Sequence, residues 1–136
     1  MSVCIRPVTA ADTYPLRHSV LWPEKPFDYV RIDDDEQGYH YGTYLDDKLV
    51  AVISLFVTGS AARFRKFATQ PDQQNKGLGT SLLQHVFAEA NRLGAETICC
   101  DARLSAAAFY QRFNMKPVGD VFYKGEIPYQ RYETRT

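Results

Sequence analysis

Gln74-Asn75-Lys76-Gly77-Leu78-Gly79-Thr80 is the stretch on which the reading of this chain turns. It lies between a strand-like run, Phe64 to Thr69, and a helix-like run, Leu78 to Leu93. Two glycines one residue apart carry no Cβ, so the backbone there can come close to a ligand. Amides at the start of the following helix point outward, where the helix dipole also favours negative charge. That is a seat for a phosphate or pyrophosphate; a plain loop running into a helix is the alternative. The lysine precedes the first glycine and no Gly-Lys-Ser/Thr follows, so this is not a Walker motif. Leu82 stands three residues beyond Gly79, where the dinucleotide fingerprint needs glycine.

Working outward, the helix after the loop places Leu78, Leu82, Leu83, Val86, Phe87, Ala90 and Leu93 on one half of its wheel, and Gly94 stops it. Thr97 to Asp101 is an apolar strand. Strand, loop, helix and strand therefore make a βαβ unit with a parallel pair. Upstream, Tyr39 to Leu45 and Lys48 to Val57 are rich in β-formers and separated by Asp46-Asp47, a hairpin signal. Val3 to Arg6 reads as a first strand. Thr9, with Asp12 as a short stand-in for the capping-box glutamate, opens a helix through Leu16, Val20 and Leu21 that ends before Pro23. Pro23 to Gly38 is loop-like, and its run Asp33-Asp34-Asp35-Glu36 is expected to be solvated. Downstream, Ser105 opens a helix through Phe109, Tyr110 and Phe113. Lys116 to Tyr123 and Tyr129 to Glu133 close the chain as strands joined around Gly125 and Pro128. The order is β-α-(α)-β-β-β-α-β-α-β-β, a mixed sheet with helices on both faces, expected as a single domain over residues 1–136.

Composition narrows the function classes. Lysine plus arginine and aspartate plus glutamate balance at 16 each, which argues against a surface that coats nucleic acid or membrane. The longest apolar run, Leu49 to Val57, is too short to span a bilayer, and the stretch from Met1 to Arg6 has no signal-like apolar segment. Three cysteines, two of them adjacent at Cys99 and Cys100, fit neither a disulfide framework nor zinc spacing. Reduced buried thiols in a cytoplasmic protein, with no metal, are the expectation.

The element order, with a glycine loop between the fourth strand and its helix, resembles the GNAT superfamily of acetyl-CoA-dependent N-acetyltransferases. That family's phosphate loop reads Gln/Arg-x-x-Gly-x-Gly/Ala, and Gln74 to Gly79 fits every fixed position. Ser105-Ala106-Ala107-Ala108-Phe109-Tyr110 is similar to the family's small-residue helix carrying a tyrosine. The glycine-phenylalanine that usually follows is here Asn114-Met115, a structural swap, since asparagine tolerates a left-handed cap. Ile5-Arg6-Pro7, the stretch from Asp12 to His18, Cys100-Asp101-Ala102-Arg103 and the tail from Gly119 to Pro128 look like the glyphosate N-acetyltransferase branch. The resemblance implies an α/β (α+β) fold of the acyl-CoA N-acyltransferase type, with a mostly antiparallel sheet, a splayed parallel pair of fourth and fifth strands, and flanking helices.

The resemblance also implies a site. The pantetheine of acetyl-CoA would lie along Phe67, Ala68 and Thr69, with its pyrophosphate on Gln74, Asn75, Lys76, Gly77, Leu78, Gly79 and Thr80. The backbone N–H of Phe67 would steady the tetrahedral oxyanion, and the hydroxyl of Tyr110 would donate to the leaving thiolate. Arg65, Arg103, Trp22 and Tyr129 would face a small-molecule amine acceptor. The two arginines suit a carboxylate or phosphonate, with surface ion pairs as the plain alternative. Arg65 is expected on the same side of its strand as Phe67. Relatives carry histidine after Gly-x-Pro near the C-terminus where this chain has Tyr129, so the proton acceptor stays open. His40 or Glu126, a water chain, or an acceptor amine that is already neutral are the options. Acetylation of a protein N-terminus or lysine, and a catalytically weak CoA sensor, are competing readings, and dimers are common among similar proteins.

Overall fold

A strand covered on both faces reads as a near-continuous apolar run, and Leu49 to Val57, interrupted only at Ser54, is one. In the computed structural model, which describes residues 2–136, that run forms most of β3 (Lys48–Thr58). The other strands are β1 (Val3–Val8), β2 (Tyr39–Leu45), β4 (Ala61–Thr69), β5 (Thr97–Arg103), β6 (Lys116–Lys124) and β7 (Ile127–Arg135). They form a seven-stranded sheet of order β1-β2-β3-β4-β5-β7-β6. All neighbouring pairs are antiparallel except β4 and β5. The β2–β3 turn is made by Asp46 and Asp47, both in the left-handed region (φ 49° and 70°), as a tight hairpin turn requires.

Helix α2 (Leu78–Arg92) covers one face of the sheet and α1 (Ala10–Leu16) the other. Leu82, Leu83, Val86 and Ala90 are wholly buried against Ala51, Ile53 and Leu55 of β3. Truncating one of these leucines to alanine would cost about 2–5 kcal/mol. On the opposite face Val52 meets Leu16 and Ala68. The α1 start is as read: Thr9 and Asp12 exchange side chain-to-backbone hydrogen bonds at 3.1 Å each. Gly94 (φ 94°) follows the end of α2, and Asn114 (φ 61°) follows α3 (Ala107–Gln111) with Met115 buried behind it.

Four expectations are corrected. The first helix does not run evenly to Leu21. Pro15 sits inside α1 and withholds one amide, and Arg17–Leu21 continues as a widened turn of i→i+5 type. The acidic run is not simply solvated, because Asp35 is buried beneath it against Arg17, whose side chain is fully buried. Pro128 lies within β7 instead of in the turn before it. Finally, β4 carries a bulge: Ser54 pairs with Arg65 and Val52 with Ala68, so Ile53 faces both Lys66 and Phe67. Lys66 takes φ 55° there. The extra residue puts the Phe67 ring on the face of Phe64, 6.4 Å away, and Arg65 on the other side.

The bulge lies where the sheet opens. β4 and β5 pair only from Ala61↔Thr97 to Arg63↔Cys99. Beyond Arg63, β4 runs on to Thr69 and β5 to Arg103 without a ladder between them. This wedge positions everything that follows.

Candidate active site

The glycine loop stands at the wide end of the wedge. Gly77 (φ 82°) caps α2 and Asn75 (φ 63°) precedes it, both left-handed. The carboxamide of Gln74 donates to the Thr69 carbonyl at 3.0 Å, tying the loop to the end of β4. A Cβ on Gly77 would meet no protein atom, so glycine is needed there for its backbone angle. At Gly79 a Cβ would stand 3.4 Å from the Phe67 ring and 3.8 Å from the Thr69 hydroxyl, so close packing of α2 on β4 is the reason for that glycine.

A cavity of about 570 Å³ lies beneath the loop. Phe67, Ala68, Thr69, Gln74, Asn75, Gly77, Gly79 and Thr80 line it. Two expected residues do not: Leu78 is buried in the core, and the Lys76 ammonium is exposed, 3.4 Å from the Gln73 carboxamide oxygen. Sequence reasoning missed Val20, Leu21, Phe109 and Arg112, which complete the lining. Arg112 stands 3.5 Å from the Thr80 hydroxyl. Its place in the turn after Tyr110 was the available signal.

A second cavity of about 190 Å³ adjoins the first. Trp22, Arg65, Arg103 and Tyr129 all line it, so the four residues expected to face an acceptor do converge. Leu21, Phe67 and Tyr110 line both cavities and form the seam between them. The bulge explains why Arg65 and Phe67 meet one space from opposite sides of β4. Arg103 and Tyr129 are cross-strand partners on β5 and β7, and the Arg103 guanidinium also lies 5.8 Å from the Trp22 ring. Trp22 packs edge-on against Tyr29, and Tyr129 stacks on Phe122. Lys66, Asp101 and Lys124 also line this cavity and were not anticipated.

The cavity is cationic. Among the described residues Asp101 is its one carboxylate, and it is clamped by Arg63 and Arg131 at 2.8 Å each. Burial works against its charge, but the Arg131 hydrogen bond and the charges of both arginines outweigh this and hold it below the ordinary range. Burial lowers Arg65, aided by the neighbouring Arg63 charge, and burial lowers Lys124 as well. Lys66 is pushed down to about 8, first by burial and then by Arg65. Tyr110 moves the other way: burial drives its phenol up, so the hydroxyl keeps its proton across the physiological range.

Neither candidate base from the sequence reaches this space. His40 is buried on β2, with Nδ1 2.7 Å from the Ser54 hydroxyl and Nε2 2.8 Å from the Asp35 carbonyl. Both nitrogens are engaged, and the ring belongs to the Arg17–Asp35 network. Glu126 is exposed in the β6–β7 turn and lines neither cavity. Cys99 and Cys100 are free thiols on β5, both raised chiefly by burial.

Known proteins resemble this chain in sequence and fold. The chain is 25% identical over 127 residues to an uncharacterized N-acetyltransferase, YitI, of Bacillus subtilis, covering 87% of this chain and 85% of that one. It is 30% identical over 91 residues to the [ribosomal protein bS18]-alanine N-acetyltransferase of Escherichia coli, covering 67% of this chain and 60% of that one. Among solved structures, a putative N-acetyltransferase from Lactobacillus plantarum superposes with a TM-score of 0.88 at 18% identity, over 99% of both chains. A Bacillus subtilis acetyltransferase in complex with CoA superposes at 0.76 and 19% identity, again over 99% of both. Residues 9–115 match the model of the acetyltransferase (GNAT) family. With the splayed β4–β5 wedge and the glycine loop at its mouth, this chain belongs to the GNAT family and is an N-acetyltransferase that takes its acetyl group from acetyl-CoA.

Proposed function

We propose that this enzyme acetylates the amine of a small molecule bearing an anionic group, in the manner of the glyphosate N-acetyltransferase branch. One observation carries the reading. Arg65 and Arg103 line a small cavity whose one carboxylate is already paired, and that cavity shares Phe67 and Tyr110 with the groove under the glycine loop. Arginines with no carboxylate to themselves favour a carboxylate or phosphonate on the ligand. Trp22 and Tyr129, the latter backed by Phe122, supply an aromatic wall for the ligand's remaining part. A third arginine of the resembling branch is replaced by Trp22, so the acceptor is more apolar than glyphosate.

In this reading acetyl-CoA lies along Phe67 to Thr69, with its pyrophosphate on the loop from Gln74 to Thr80 and on Arg112. The amine attacks the thioester carbonyl at the seam. The Phe67 N–H steadies the oxyanion, and Tyr110 gives its proton to the departing thiolate. Free-thiol release across matched amines tests it: an amino acid should outperform its carboxamide by at least ~10-fold in kcat/KM. Equal rates would overturn the anionic-acceptor reading.

The likeness to the ribosomal protein alanine acetyltransferase supports a second reading, acetylation of a protein N-terminus. There the amine is followed by a peptide bond and carries no adjacent carboxylate. None of Asp33 to Glu36 lines either cavity, which removes the acidic rim that would attract a basic peptide. A peptide beginning with alanine, assayed beside free alanine, discriminates the two. The free cysteines are in keeping with a cytoplasmic enzyme acting as one domain over residues 1–136.

A further inference from the structure

With the relatives' histidine replaced by Tyr129, the proton acceptor for the incoming ammonium remains to be found. The Tyr129 hydroxyl is already the acceptor of a hydrogen bond from Arg103 Nε. Asp101 is clamped between two arginines, and His40 lies elsewhere. Two lysines in the cavity, Lys66 and Lys124, are left without such a partner among the described residues, and Lys124 is exposed with its ammonium over the Tyr129 ring at 4.6 Å. Lys66 is half-buried, lines the cavity, and has no carboxylate within ion-pair distance among the described residues. It precedes Phe67, a seam residue, and its left-handed backbone is the bulge itself.

We infer that Lys66, presented by the β4 bulge into the acceptor cavity, is the general base that takes the proton from the acceptor ammonium. This rests on the acceptor reading above.

The surroundings are suited to that task. Burial and the Arg65 charge on its own strand both favour the neutral amine. Lys124 at the end of β6 and Arg17 beneath the sheet act the same way, while Asp35 opposes them weakly. Arg103 adds positive charge to the cavity, and the Asp101 carboxylate is offset by Arg63 and Arg131. Tyr110 and Cys100 face the cavity protonated, since burial raises both. With its pKa near 8, a useful fraction of Lys66 is neutral at physiological pH, and lysines desolvated beside another cation are a known form of activated amine. An anionic acceptor would pull the value back up, but its own ammonium offsets this and the arginines take the carboxylate.

The acceptor ammonium passes one proton to Lys66 Nζ, and the freed nitrogen lone pair forms the C–N bond. The C–S bond breaks with its electrons on sulfur. The second nitrogen proton ends on the CoA thiolate, with Tyr110 as relay and unchanged after turnover. Lys66 returns its proton to solvent.

The test uses the full chain, CoA-thiol detection and two carboxylate-bearing acceptors of similar size. One is an alkylamine; the other is an acyl hydrazine, whose terminal nitrogen is neutral at pH 7. Wild-type kcat with the alkylamine should rise with pH through a limb near 8. Lys66→Gln should abolish that limb and cut the alkylamine rate near neutrality by ~10²-fold, with a far smaller loss on the hydrazine. Lys66→Arg keeps charge and backbone and should behave like Lys66→Gln. A side-chain nitrogen NMR titration of the CoA-bound protein should show Lys66 losing its proton near pH 8. A limb that persists in both variants overturns the proposal, as does an equal loss on both acceptors. A rise in acceptor KM with the limb intact would make Lys66 an anion anchor instead. If the limb is present but carboxamide acceptors work as well as carboxylates, the acceptor reading falls and the role of Lys66 stands.

Discussion

The Arg103 Nε donates to the Tyr129 hydroxyl at 3.3 Å across adjacent strands, and the same guanidinium lies 5.8 Å from the Trp22 ring. One side chain thus joins β5, β7 and the turn after α1 into one wall of the acceptor cavity. Removing its charge should act on acceptor binding more than on chemistry. Arg103→Gln is expected to raise KM for a carboxylate acceptor ~10–100-fold, the range of a hydrogen bond to a charged group. KM for the matching carboxamide should change little. Arg65→Gln should follow the same pattern. Steady-state kinetics on both acceptors check this, and a uniform fall in kcat would assign the arginines to another task.

Tyr110 is held protonated by burial. Tyr110→Phe keeps the ring packed on Phe64 and Tyr132 and removes only the acid. Turnover should fall by ~10², the low end for a positioned acid, because a CoA thiolate leaves readily. CoA affinity measured by calorimetry should stay put. A raised phenol also means that the wild-type rate shows no alkaline fall attributable to Tyr110 below pH ~10. Single-turnover rates against pH are the measurement; a wild-type rate for Tyr110→Phe would leave the residue as core packing alone.

Gly77 separates two effects. Gly77→Ala adds a methyl into open space but forces an L-residue to φ 82°, so it should lower stability by about 1–2 kcal/mol. Gly77→Asp would add negative charge beside the proposed pyrophosphate seat and should weaken CoA binding further, by at least ~10-fold relative to Gly77→Ala. Calorimetric titration of the two folded variants compares them directly.

Arg17 and Asp35 meet through two hydrogen bonds of 2.9 and 2.8 Å, with Arg17 wholly buried. Arg17→Met strands a buried carboxylate and should cost ~3–5 kcal/mol, whereas Arg17→Met with Asp35→Leu should cost less than the single change. Burial alone would raise the Asp35 carboxyl, but the Arg17 hydrogen bond, the Ile32 amide and the Arg17 charge together hold it below its ordinary value. A depressed carboxyl contributes stability that is complete above the unfolded pKa of ~3.9 and lost as pH falls through the lower folded value. Melting temperature should therefore drop more steeply in acid for the wild type than for Asp35→Leu.

Much of this was written plainly along the chain. The αL-prone pair Asp46-Asp47, the wheel of α2 and Gly94 after it are local signals, and each is where it was read. In the groove, the loop residues Gln74, Asn75, Gly77 and Gly79 followed from one glycine pattern because backbone shape, not side-chain chemistry, builds that surface, whereas Phe67 to Thr69 came from the family resemblance. The bulge was illegible. Arg63-Phe64-Arg65-Lys66-Phe67 alternates as a regular strand would, and only pairing with β3 shows that Ile53 faces two residues. The buried roles of Asp35 and His40 depend on Arg17, eighteen and twenty-three positions away, and no periodicity connects them. Lys66 was passed over for the same reason: a lysine inside a strand pattern gives no sign of the charges that will surround it.

The short ladder between β4 and β5 has a consequence for the protein without its co-substrate. Past Arg63, the backbone groups of β4 that point toward β5 find no partner strand, and such groups must be solvated or paired. An extended pantetheine arm can act as a transient strand there. Amide deuterium exchange between Phe64 and Thr69 should slow on CoA addition while exchange in β2 and β3 barely changes. The unfolding midpoint should climb with the logarithm of CoA concentration. On the proposed seat for acetyl-CoA, the sheet would be completed only for as long as the acetyl donor stays.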